Sequence, residues 1–140
     1  MRGIGFCFAC VVMMTGCATS ATSNSEQRAA PREQMYFASM TPSQDTTRLI
    51  FVRDTGVLGS ANFLHLYVDG KKAASLNPAE FVEITISSGE HTFGVKPTDP
   101  FNLSPLVVID QDVKAGRTYR YRLSNSLNGS QISREIEASY

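Results

Sequence analysis

Reactive side chains, charge of one sign and long apolar runs are all scarce in this chain of 140 residues. The three cysteines, Cys7, Cys10 and Cys17, all precede Ala18, so the rest of the chain offers no thiol for a disulfide, a zinc site or nucleophilic catalysis. The two histidines, His65 and His91, stand 26 residues apart by position (91 − 65), and no HxH, HExxH or Cys/His cluster occurs. The 13 Lys and Arg residues cancel the 13 Asp and Glu residues, which gives no support for a nucleic-acid partner. The apolar run from Ile4 to Met14 falls short of the ~20 residues that a bilayer-spanning helix needs.

What is present begins with that run. It follows Arg2 and ends in the small residues Thr15 and Gly16 before Cys17, after which the sequence turns polar. The proportions are those of a signal-peptide core. "MTGC" resembles the lipobox of bacterial lipoproteins, with Met14 where leucine is more usual. The resemblance implies that residues 1–16 are a signal peptide and that Cys17 becomes the diacylated first residue of the mature chain, fixed to the membrane by palmitate-type chains. Each buried acyl methylene stabilises membrane association by about 0.8 kcal/mol, so two or three chains anchor firmly. Ala18, in place of the aspartate that retains enteric lipoproteins in the inner membrane, implies outer-membrane sorting with the chain facing the periplasm.

Residues 17–46 are rich in Ala, Ser and Thr and lack a sustained period, which predicts a flexible linker with a reach of roughly 30 Å. Within it "MYFASM" is too apolar for a spacer and is expected to dock on its own domain. Residues 47–140 are read as one small all-β domain, burying about 60 to 65% of its unfolded surface. "RLIFVRD" is apolar on both faces, as in a central strand. "FLHLYV" places Leu64, Leu66 and Val68 on one face, and "EFVEITI" places Val82, Ile84 and Ile86 inward. Asp69 and Gly70 signal a type I′ hairpin, whose central residues both need positive φ. "SSGEHTFGV", "LVVIDQDV", "RTYRYRL" and "SQISREIEA" complete about eight short strands, which suggests a compact antiparallel β-sandwich or a half-open barrel.

The succession "TRLIFVRDTGVLGSA", "LYVDGKKAASL", "FVEITISSGEHTFGV" and "VKAGRTYRYRL" resembles the bacterial envelope family called domain of unknown function 2846. The likeness covers roughly Arg48 to Leu123, with departures at Ser88 and Arg120. It implies a lipoprotein whose domain is a small antiparallel β-sandwich, immunoglobulin-like or PEGA-like, with no established reaction.

Candidate site residues are few. His65 shares a strand face with Phe63 and Tyr67, and His91 with Phe93 and Val95, so packed or hydrogen-bonded roles are expected for both. Asp110 and Asp112 share one face of a strand and offer two carboxylates to calcium or to acid/base chemistry. Ser60 lacks the glycine spacing of a nucleophile elbow. In "RTYRYRL" alternation commits Tyr119, Tyr121 and Leu123 to the core and sends Arg120 and Arg122 outward, where with Lys71 and Lys72 they are expected to form a basic patch for anionic envelope polymers or an acidic partner. The resulting expectation is a lipid-anchored, non-enzymatic binding or accessory module of the cell envelope, with no catalytic residue, metal or cofactor. The alternative is a hydrolase of envelope polymers using Asp110 and Asp112.

Overall fold

The computed structural model describes residues 21–56 and 61–135. Its strands are β1 (Arg28–Ala29), β2 (Thr46–Arg53), β3 (Leu64–Val68), β4 (Lys71–Leu76), β5 (Glu80–Ser87), β6 (Gly89–Pro97), β7 (Val107–Val113), β8 (Thr118–Ser126) and β9 (Gly129–Glu135), with a single 3-10 turn at Arg32–Gln34. They form a five-stranded sheet in the order β1-β5-β2-β8-β9 and a four-stranded sheet in the order β4-β3-β6-β7. The two sheets pack face to face as the all-β sandwich that the short alternating runs lead one to expect.

Alternation fixes which side of each strand is buried. Leu64, Leu66 and Val68 of β3, Val82, Ile84 and Ile86 of β5, and Tyr119, Tyr121 and Leu123 of β8 all point into the space between the sheets. At its centre Phe51, Phe93 and Tyr121 have ring centroids 5.2 Å apart in each pair, one pair stacked and two edge-on. These are the geometries that the aromatic quadrupole favours. Asp69 and Gly70 join β3 to β4 at φ 49° and 75°, the left-handed pair that a type I′ turn requires.

β2 is central, paired with β5 on one side and β8 on the other. Its pairing with β8 is parallel, as is that of β1 with β5, so the sheet is mixed where simple antiparallel order was expected. The reason is topological: after β2 the chain runs through β3 and β4 of the other sheet, returns as β5 antiparallel to β2, crosses again through β6 and β7, and enters β8 from the same end as β2, which makes those two neighbours parallel.

The expectation of a flexible linker over residues 17–46 is corrected from residue 21 onward. β1 adds to the edge of β5, and the Ala30 N–H donates to the Phe81 carbonyl at 2.8 Å. Met35 bridges to Ala74, and the N–H groups of Tyr36 and Phe37 donate to the Ala73 carbonyl, so "MYFASM" docks on its own domain as expected. The Met40 N–H reaches the Thr85 carbonyl at 2.9 Å. Polar composition registers side chains, whereas what holds this segment is the unpaired backbone along the edges of β4 and β5.

Candidate functional site

Arg120 and Arg122 lie on the outer face of the five-stranded sheet, as their alternation with the tyrosines requires, but that face is covered. The chain from Thr22 to Gln27 crosses it: Arg120 donates to Asn24 and Gln27 side chains, and Arg122 donates to the Thr22 carbonyl at 3.4 Å. Val52, registered beside Arg122, is fully buried although it points away from the main core. Arg120 Nε meets Glu135 Oε2 at 2.6 Å, while Arg122 pairs with both Asp54 and Glu135. Burial lowers the Arg122 pKa, but hydrogen bonds and charge from Asp54 and Glu135 outweigh it and raise the guanidinium above its ordinary value.

The expected basic patch is therefore corrected. Lys71 and Lys72 belong to β4 in the opposite sheet, and Lys72 sits over the Tyr36 ring, 4.7 Å from its centroid. The two arginines are neutralised by acidic partners and clamp the N-terminal segment. Parity along "RTYRYRL" gave the correct face, while the partners of Arg122 lie 13 (Glu135), 68 (Asp54) and 100 (Thr22) positions away in the chain.

Polar side chains instead converge beside the β3–β4 turn, around an open depression of about 530 Å³ lined by Asp69, His91, Thr92, Asp110 and Asp112 among others. Antiparallel pairing of β6 with β7 sets Thr92 opposite Asp110 and Glu90 opposite Asp112. Asp69 projects from its turn to accept the Thr92 N–H at 3.0 Å on one oxygen and to meet His91 Nδ1 at 2.7 Å with the other. His91 Nε2 faces the Ser87 carbonyl at 3.0 Å, so both hydrogen bonds exist together only when both ring nitrogens carry a proton. Burial raises the Asp69 carboxyl, but the hydrogen bonds from His91 and Thr92 and the charges of His91 and Lys71 outweigh it and hold its pKa below the usual value.

This arrangement ties strand ends together. The His91 ring is occupied at both nitrogens by acceptors, and neither is a hydroxyl that it might activate. Asp110 and Asp112 share an exposed face, as alternation implied, but Asp110 accepts the Thr92 hydroxyl at 2.7 Å and Asp112 pairs with Lys114. His65 is held at 2.8 Å by Ser75 Oγ and at 2.8 Å by Thr98 Oγ1. Either hydroxyl can donate or accept, so a neutral ring is satisfied in both tautomers. Burial and then the Lys72 charge lower its pKa. Both histidines thus take the hydrogen-bonded roles expected of them. Among the described residues no group of three His, Cys, Asp or Glu side chains is placed to hold a metal ion.

Two buried charges escaped the sequence reading. Arg53, 3% exposed, continues the inward parity of Leu49 and Phe51, crosses between the sheets and donates to the Leu76 carbonyl at 2.5 Å and the Asn62 carbonyl at 2.6 Å. Glu80, also 3% exposed, accepts the Asn77 N–H at 2.8 Å. Arg53's inward parity was the available signal. Cys17 and Ser60 lie outside the described residues. Compared with known proteins, the chain matches no family model, and no curated protein matches it.

Proposed function

We propose that this protein is a bacterial envelope lipoprotein whose β-sandwich acts as a non-enzymatic accessory module at the membrane to which Cys17 is acylated. The observation that carries the reading is the apolar run ending in "MTGC", with an abrupt change to polar sequence after the cysteine. Since no family model matches, the reading rests on these residues and not on family membership. The fold fits the same role. The carboxylates and histidines nearest to a concave surface are engaged by Thr92, Lys114, Ser87 and one another, an arrangement suited to rigidity.

The segment after Cys17 also favours a module held close to the lipid. Thr22 is already bound to the body, so no 27-residue coil (44 − 17) separates domain and anchor. The test is Cys17→Ser in the native host with radiolabelled fatty acid, followed by membrane fractionation. Label should vanish, unprocessed precursor should accumulate, and wild type should sediment with the outer membrane. Label persisting on the variant would refute acylation at Cys17, and wild type found wholly in the inner membrane would refute the sorting inferred from Ala18.

A further inference from the structure

We infer that one end of the sandwich, formed by the β6–β7 loop and the β8–β9 turn, is a membrane-contacting surface that rests on the lipid bilayer. The inference depends on lipid attachment at Cys17 and specifies which part of the body then meets the membrane. Phe101 and Leu103 in the loop and Leu127 in the turn are 78%, 82% and 78% exposed. A single exposed leucine needs no explanation, but three large apolar side chains from two facing loops form a patch of the kind that marks a binding surface. The loops do face each other, since Asp99–Pro105 and Asn125–Ser130 residues line a common depression of about 340 Å³.

The exposure of Phe101 and Leu103 is built into the loop. Asp99 Oδ1 accepts the Phe101 N–H at 2.9 Å, and Oδ2 accepts the Ser104 N–H at 2.5 Å. Asn102, at φ 54°, donates its N–H to the Asp99 carbonyl at 3.1 Å, and its side-chain oxygen accepts from Lys96 Nζ at 2.5 Å. These bonds hold the apolar tips away from the body.

The occupant follows from where the tether enters. The Thr22 N–H donates to Asp54 Oδ1 at 3.2 Å, and its hydroxyl accepts the Thr55 N–H at 2.9 Å. The Asp54 N–H in turn donates to the Leu123 carbonyl at 2.9 Å, so Thr22 sits at the end of β2, beside Leu123 and three residues (126 − 123) before β8 finishes. Leu127 lies four positions beyond Leu123 (127 − 123), about 13 Å along the strand direction. From Cys17 to Thr22 is five residues (22 − 17), which span at most about 18 Å. An acylated Cys17 thus holds the bilayer close to the end that carries Phe101, Leu103 and Leu127. Aromatic and aliphatic tips at that distance suit the boundary between headgroups and acyl chains.

The test uses the full-length lipoprotein, processed in its host and reconstituted into phosphatidylcholine vesicles. Leu103→Cys, Leu127→Cys and, at the opposite end, Ala115→Cys each receive an environment-sensitive fluorophore, while mass spectrometry of the same preparations reports the state of Cys17. Labels at 103 and 127 should shift to the blue and be quenched several-fold more than the label at 115 by lipid-borne quenchers. Equal quenching at all three sites on acylated protein would overturn the membrane-facing end alone. An unmodified Cys17 would overturn the anchor and this orientation with it. Shielding from water without quenching by lipid would mean that a second protein copy covers the loops, and would also overturn the assignment.

Discussion

Replacing Arg53 with Met removes a guanidinium from the interior while keeping an unbranched side chain of similar length. Arg53 reaches from β2 to carbonyls at Asn62 and at Leu76 of β4, so it joins the two sheets. Burial lowers its pKa to about 10, against the opposing charge of Glu80, so at neutral pH the group stays ionised. Each carbonyl left without a donor costs about 1 to 3 kcal/mol, and removing one partner from a buried charged contact costs about 3 to 5 kcal/mol. We expect Arg53→Met to lose about 3 to 5 kcal/mol, a large share of the ~5 to 15 kcal/mol that holds a domain folded. Urea unfolding of residues 21–140 followed by far-UV circular dichroism should show a midpoint lower by on the order of 2 M, with Arg53→Lys intermediate because it keeps the charge. A midpoint within ~0.3 M of wild type would contradict this role for Arg53, since it would mean that water replaces the guanidinium at both carbonyls.

Ile84, 1% exposed in β5, should cost about 2 to 5 kcal/mol when cut to Ala; a loss under about 0.5 kcal/mol in the same urea assay would contradict its place in the core. Because the folded pKa of Asp69 lies below its unfolded value, its contribution is present above about pH 4 and is lost as pH falls through the folded value. Asp69→Asn keeps a residue suited to the left-handed turn, so thermal midpoints of wild type and variant should differ near neutrality and converge below pH 4; a gap unchanged down to pH 2 would contradict the Asp69–His91 clasp. Arg122→Gln removes the guanidinium hydrogen bonds to the Thr22 carbonyl together with the pairs to Asp54 and Glu135 that orient the group, and limited proteolysis should cut residues 21–30 several-fold faster than in wild type. Equal rates would show that β1 pairing alone secures the segment.

The strands were legible in the sequence because side-chain direction alternates with every residue, and β3, β5 and β8 bury Leu, Ile and Tyr at alternate positions. The β3–β4 turn was legible because Asp-Gly satisfies two left-handed positions in succession. Partners were not, since a period of two states which face a residue occupies and is silent about what covers it. That is why Arg120 and Arg122 read as free cations, while Glu135, Asp54 and the chain from Thr22 to Gln27 neutralise and cover them. The same gap hid the docking of residues 21–34, whose pairing along β5 uses backbone groups common to every sequence, whereas the apolar "MYFASM" after it was legible as a docking segment. Asp69 read only as a turn former, because its reach to His91 exists only once β6 lies beside β3.

We propose that Cys17 carries lipid and holds the sandwich at the membrane. It is tested most directly by mass spectrometry of the N-terminal peptide of the protein purified from its native host. The expected product is a mature chain that begins at Cys17, with a diacylglycerol thioether on Sγ. A mature chain that begins elsewhere, or a Cys17 with an unmodified thiol, would contradict it.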